Sequence, residues 1–278
     1  MSHRRSVLLL VVTSILWSFG GLFVKSIGWN SYAITCFRSL VALIVLLPFV
    51  GRPRLPRSWY GVLAMLCYTG LICTCIMATK RTTAANAILL QYTAPIYSLL
   101  AGHLLLRERI RRRDIVSIGA LFLGMALFLS DGLAGGAMSG NLIALLSGVF
   151  YGLMGVFMRK DPSGRPLDNV FWGNLLAVLI MLPLIGKPVW TPTNLTLIVL
   201  MGAFQLALPY LLYSKAIHGV TALEITLITV LEPIMNPVWV FLSTGERPGP
   251  LALMGGVVVL GTVVLHELPL GRRTKPLS

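Results

Sequence analysis

The chain has 278 residues, 56% hydrophobic and only 12% charged, with 23 Lys+Arg against 9 Asp+Glu and a mean hydropathy of +0.83. Soluble domains carry about 25% charged residues, so this composition excludes a water-soluble enzyme and a disordered chain. The formal charge of +14 does not point to nucleic acid, because the basic residues lie between apolar runs.

A bilayer core of about 30 Å takes about 20 helical residues to cross. Ten such segments are predicted, over residues 6–25, 31–50, 58–78, 84–106, 113–130, 139–158, 168–186, 194–215, 221–243 and 249–267. They are continuously apolar rather than alternating, which selects helices over a closed barrel. The short links leave no room for an extramembrane domain. The first segment has Arg4 and Arg5 in front but no clear small-x-small cleavage site, so it is read as a retained helix and not a signal peptide.

Lys and Arg in the links set the direction. With the N terminus in the cytoplasm, 17 basic residues fall inside, among them Arg52, Arg54, Arg57, the run Arg107 to Arg113, Arg159, Lys160 and Arg272. Five fall outside (Lys25, Lys80, Arg81, Lys187 and Arg247), and Arg38 lies within the second segment. Both termini are therefore expected in the cytoplasm. The four cysteines, Cys36, Cys67, Cys73 and Cys75, all lie in apolar segments without metal spacing and read as buried free thiols.

The chain repeats itself. Ala42 through Pro48 with Gly51 matches Ala177 through Pro183 with Gly186, at a spacing of 135. Trp17, Gly21, Phe23 and Lys25 match Tyr151, Gly155, Phe157 and Arg159 at 134, and Ala78, Thr83, Ala84, Pro95 and Glu108 match Ala216, Thr221, Ala222, Pro233 and Glu246 at 138. The halves are 1–133 and 134–278, five helices each. Five is odd, so the second copy enters the membrane from the opposite side. Such inverted repeats form a shared site at the midplane of many secondary transporters.

Ala78 through Pro95, closing in Leu-Leu-Leu-Arg-Glu108-Arg, resembles the signature of the EamA type of the drug/metabolite transporter superfamily. Glu232-Pro233 through Gly-Glu246-Arg repeats it, and Arg38 before Pro48 is similar too. The resemblance implies an all-α polytopic membrane protein, with ten helices as two five-helix inverted repeats. It also implies a central cavity lined mainly by helices 1, 3, 4, 6, 8 and 9, and export of metabolites. Within the family the chain resembles bacterial exporters of aromatic and other amino acids. The seventh segment departs from the pattern, with Gly173 where the second carries Arg38.

Pro95 and Pro233 interrupt the fourth and ninth segments at equivalent places, freeing the carbonyls of Gln91 and Thr229. Freed backbone at membrane depth belongs against protein or a watery cavity, so both segments are placed at the cavity wall. Thr229, Glu232 and Asn236 share one face of the ninth segment. The equivalent face of the fourth carries Gln91, Ala94 and Ser98. Glu232 lies roughly 16 Å from its helix end, near the midplane, and Arg38 roughly 10 Å from its own. Three roles are open to Glu232: binding a substrate ammonium, titrating to couple transport to protons, or pairing with Arg38. Arg38 has the geometry to clasp a carboxylate, or it packs at a helix flank.

Trp17 and Tyr151 stand out among the aromatics because both halves keep a ring there. Tyr92, Tyr97, Tyr210, Tyr213 and Trp239 join them as candidate contacts for an apolar or aromatic substrate. Asn86 and Gln205 are the remaining buried polar candidates. Ser14 and Ser18 match Gly148 and Gly152, which predicts that the first and sixth helices pack tightly together. Glu224 is expected at the membrane interface or in an early turn, His103 at a helix end, and Glu108 paired with Arg112. No phosphate loop, zinc spacing or hydrolase elbow is present, so no cofactor, metal or enzymatic activity is expected. The reading is a secondary exporter of amino acids or similar small amphiphiles, with a cationic drug or polyamine exporter as the alternative. Its partners are the substrate and membrane lipid, with no nucleic acid, and a monomer is sufficient.

Overall fold

The computed structural model describes residues 1–82, 84–129, 138–235, 239 and 250–267, and the described residues hold helices and no strands. The first apolar segment is α1 (His3–Trp17) and α2 (Gly20–Ser26), followed by α3 (Ser31–Val50) and α4 (Trp59–Arg81). The fourth segment is two helices, α5 (Ala84–Gln91) and α6 (Ala94–Leu106), and the half closes with α7 (Arg112–Leu129). The second half opens with α8 (Met138–Lys160) and α9 (Pro166–Met181). The eighth segment runs as α10 (Pro192–Leu200), a π-helical stretch (Met201–Ala207) and α11 (Leu208–Ala216). Then come α12 (Ala222–Thr229), a helical stretch at 231–235, and α13 (Pro250–Glu267).

Six helical spans among the described residues are long and apolar enough to cross a membrane: His3–Ser26, Ser31–Val50, Trp59–Arg81, Met138–Lys160, Pro166–Leu184 and Pro192–Gly219. Ala94–Leu106 and Met254–His266 are shorter apolar helices. Large apolar side chains face outward along the chain, Ile44 at 67%, Val116 at 68% and Val257 at 70% exposure. That is the surface lipid requires and water does not tolerate.

Local chemistry fixes the helix ends. Asn30 caps α3 through Ala33 N at 2.8 Å, and Ser58 caps α4 through Gly61 N at 2.9 Å. Thr221 and Glu224 form a reciprocal capping box on α12, the early-turn role expected for Glu224. Gly51 and Gly186, the glycines that close the repeated Ala-to-Pro run, both take positive φ, +69° and +65°. At these two positions a Cβ would be strained, so the repeat is one of backbone geometry as well as sequence.

The halves interlock. α1 packs on α11 and α12 of the other half, and α8 packs on α4, α5 and α6. α3 lies against α9, and α7 against α13. α3 also lies on the π-helical stretch, and α9 on α4. Each of these contacts recurs with the halves exchanged, so the packing has approximate two-fold symmetry.

This corrects one expectation. Gly148 and Gly152 do permit close approach, but to the broken fourth segment and not to the first helix. A Cβ on Gly148 would lie 2.8 Å from the Gln91 carbonyl oxygen, and one on Gly152 would lie 2.6 Å from that of Ala94. In the other half, Ser14 Oγ lies 3.5 Å from Ile228 O on α12. Small residues therefore sit where the opposite half's helix breaks. Gly152→Ala is expected to cost about 1–3 kcal/mol by overpacking. Gly119→Ala, where nothing lies within 4 Å of the added methyl, is expected to cost nothing. Thermal unfolding of the purified variants checks this.

Glu108 is a second correction. Residues 107–111 are not helical, so the spacing to Arg112 has no meaning there. Instead Arg107 takes a left-handed conformation, φ +56°, which turns the chain at the end of α6. Glu108 then accepts from Arg159 at the end of α8 and from Ala222 N, 3.2 Å away, at the start of α12. His103, as a helix-end residue, contacts Glu108 O at 2.9 Å. Nearby, Asp161 accepts from Ser58 and Ser163 hydroxyls, both at 2.5 Å, joining α4 to the end of α8. Burial pushes the Asp161 carboxyl up, but hydrogen bonds from Ser163, Ser58 and Asn169 outweigh it and hold it below the usual range.

Candidate functional site

Between the halves lies a cavity of about 50 Å³, lined by Trp17, Arg38, Leu71, Ile72, Cys75, Gln91, Tyr151, Gln205, Leu206, Tyr210 and Glu232. Sites that hold small molecules usually enclose about 300–1,000 Å³, whereas a single water needs about 10–15 Å³. The cavity has room for a few waters.

One wall is aromatic. Trp17 of α1 lies 5.1 Å from Tyr210, 5.9 Å from Tyr213 and 6.1 Å from Tyr151 between ring centroids. Tyr68, fully buried on α4, meets Tyr210 edge-on at 4.7 Å and accepts from Asn174 Nδ2 at 2.7 Å. Such edge and tilted contacts are the geometry aromatic quadrupoles prefer.

The basic group enters from α3. Arg38 is 3% exposed. Its Nη2 donates to Ile72 O at 2.9 Å and its Nη1 to Gln205 Oε1 at 3.5 Å, while its Nε is buried without a hydrogen-bond partner. It is a guanidinium buried within the protein. Gln205 sits on the π-helical stretch and also donates to Trp17 O at 3.4 Å. Pro209 explains this stretch: it cannot donate within the helix, and the extra residue of a π turn re-aims the side chains before it.

The acidic group enters from the break in the ninth segment. α5 ends at Gln91 and α12 at Thr229, the two residues whose carbonyls Pro95 and Pro233 free. Tyr92 lies in the first break and reaches across to the second. Its Oη lies 2.7 Å from Thr229 O and 2.9 Å from Glu232 Oε2. Tyr151 donates to Thr229 Oγ1, which in turn donates to Ile225 O at 2.9 Å. Gln91 accepts from Ser147 of α8 at 3.0 Å.

Trp17, Arg38, Gln91, Tyr151, Gln205, Tyr210 and Glu232 therefore surround one space. Tyr92, Tyr213 and Thr229 stand behind it as support, and Pro95 and Pro233 shape its broken walls. Tyr97 is not on the lining, and Trp239 donates to Ser18 Oγ at 2.6 Å instead. Asn236 and Glu246 lie outside the described residues, as does the side chain of Asn86. Arg38 and Glu232 share the cavity without an ion pair between them: each is held by neutral partners. The sequence reading missed Leu71, Ile72, Cys75 and Leu206, whose apolar character does not separate cavity from core. Pro209 would have pointed to Gln205 and Leu206 by the argument used for Pro95 and Pro233. No group of His, Cys, Asp or Glu among the described residues is arranged to hold a metal.

A model of the EamA-like transporter family matches residues 4–130 and again residues 138–266. The chain is 25% identical to a probable terminal-alkyne amino-acid exporter of Streptantibioticus cattleyicolor, covering 98% of this chain and 97% of that one. It is 24% identical to a pseudopaline exporter of Pseudomonas aeruginosa, covering 92% and 94%. It is 23% identical to an uncharacterized transporter of Archaeoglobus fulgidus, again covering 92% and 94%. A solved crystal structure matches the fold with a TM-score of 0.79 at 18% identity, over 95% of this chain and 96% of that one.

Proposed function

The chain belongs to the EamA-like transporter family, and from that premise we propose that it is a secondary carrier exporting amino acids, aromatic and other neutral ones, across the bacterial inner membrane by alternating access. The observation that carries this reading is the pair Arg38 and Glu232 on one aromatic-walled cavity without a bond between them. A guanidinium suits a carboxylate, a carboxylate suits an ammonium, and rings suit an apolar side chain. A free amino acid carries all three.

In this reading ten helices span the membrane as inverted halves, 1–133 and 134–278, with both termini in the cytoplasm and one chain sufficient. Exchange of the halves' conformations turns the shared cavity from one side to the other, which the interchangeable contacts between halves support. The names of two similar proteins, both exporters and one of an amino acid, agree with the direction and the class.

The test is counterflow into liposomes holding purified protein and excess unlabelled substrate, with three labelled probes: phenylalanine, phenethylamine and phenylacetate. Saturable counterflow of phenylalanine well above the other two supports the zwitterion site. Preference for phenethylamine moves the assignment to a cation exporter of the same fold, and flat traces for all three from folded protein remove the amino-acid reading.

A further inference from the structure

Two seams between the halves lie beyond opposite ends of the cavity. The first is on the side of the N terminus, where His3 contacts Glu224 at 3.4 Å. Tyr151 of the lining and Arg159 are about two turns apart on α8, and Arg159 donates to Glu108 at the end of α6. Glu108 also accepts from Ala222 N, 3.2 Å away, at the start of α12. Bonds from a guanidinium and a helix N-terminus to a carboxylate are charge-assisted, the strong kind. The pair is 17% and 21% exposed, so water screens it less than a surface pair. Gly102 leaves room for it: a Cβ there would lie 2.7 Å from Glu108 Oε2.

The second seam lies away from the N terminus. Trp17 lines the cavity, and the chain breaks directly after it, between α1 and α2. In that break Phe19 stacks on Trp239 of the ninth segment, with ring centroids 4.5 Å apart and an interplanar angle of 19°. The Trp239 indole donates to Ser18 Oγ at 2.6 Å, and the Ser18 hydroxyl gives its own proton to Ile15 O at 2.6 Å. The repeat partner of Ser18 is Gly152, which has no hydroxyl to take an indole N–H and lies against Ala94 O. The aromatic seam is therefore not duplicated on the terminus side, where charge takes its place.

We propose that these seams are the two gates of the carrier: Glu108 with Arg159 and Ala222 N on the terminus side, and Ser18 and Phe19 with Trp239 on the other. The assignment rests on the transport reading above. A site that opens to each side in turn must part the halves at one seam while the other holds. Parting the first seam separates an ion pair and uncaps α12. Parting the second unstacks two rings and breaks one hydrogen bond. The bonds differ, so either gate can be weakened alone, and weakening it raises the population open to that side. None of these six residues lines the cavity, so the contacts offered to substrate stay in place.

The test reads how fast Cys75, on the lining, reacts with a membrane-impermeant thiol reagent from each side of vesicles without substrate. Cys36, Cys67 and Cys73 are replaced by alanine, and protease access to an N-terminal tag identifies the terminus side. Glu108→Gln and Arg159→Gln are each expected to speed labelling from the terminus side about tenfold, the worth of one charge-assisted hydrogen bond, and not from the other. Trp239→Leu and Phe19→Leu are expected to do the reverse, by about fivefold. Two variants for each gate keep both arms decided where one of them does not fold. Equal acceleration from both sides, acceleration from the wrong side, or wild-type rates in folded variants would overturn the gates. Labelling needs no substrate: flat counterflow beside sided labelling removes the amino-acid reading and leaves the gates standing, whereas counterflow without sided effects removes the gates alone.

Discussion

Glu232→Gln is expected to stop net export while leaving a folded, inserted protein. Glutamine fills the same volume and keeps a contact with Tyr92, so the packing around the break at Val230 survives. It offers no charge for an ammonium. Taking the carboxylate partner away from a bound ammonium costs about 2–5 kcal/mol. The fall in phenylalanine efflux should therefore be about 30-fold or more, with the unfolding temperature little changed. Wild-type efflux in this variant would remove Glu232 from the mechanism.

Arg38→Gln is expected to act on the other end of the substrate. The guanidinium holds Ile72 O and keeps its Nε without a partner, so the side chain has donors in reserve for a carboxylate. Its loss should lower phenylalanine counterflow by about 30-fold or more, the effect of about 2 kcal/mol. Phenethylamine, which has no carboxylate, should fall far less. An equal fall for both probes would make Arg38 a packing residue of α3, α4 and the π-helical stretch.

Much of this architecture is legible in the sequence, because lipid narrows the choices. Every deep backbone group needs a partner, so Pro95 and Pro233 fix where two helices break, and α5 and α12 end at Gln91 and Thr229. The repeat is equally visible, since Gly51 and Gly186 end their helices with the same positive φ. Partners across the halves are not legible. Ser14 and Gly148 show that close approach is needed but not to what, and each meets the broken helix of the opposite half. Glu108 was misread for the same reason: its spacing to Arg112 is local, and its partners Arg159 and Ala222 are brought to it by the fold. Leu71 and Ile72 have no polar mark that would distinguish a cavity wall from core, and the π turn that aims Gln205 follows from Pro209 only once its helix is placed.

Alternating access of the cavity itself is most directly read by the thiol of Cys75, which stands on its lining. With Cys36, Cys67 and Cys73 replaced by alanine, a membrane-impermeant thiol reagent is applied to right-side-out and to inverted vesicles. Labelling of Cys75 from both sides, slowed by phenylalanine in each case, is the predicted result. Labelling from one side only, or from neither, would contradict a carrier whose single site opens to each side in turn.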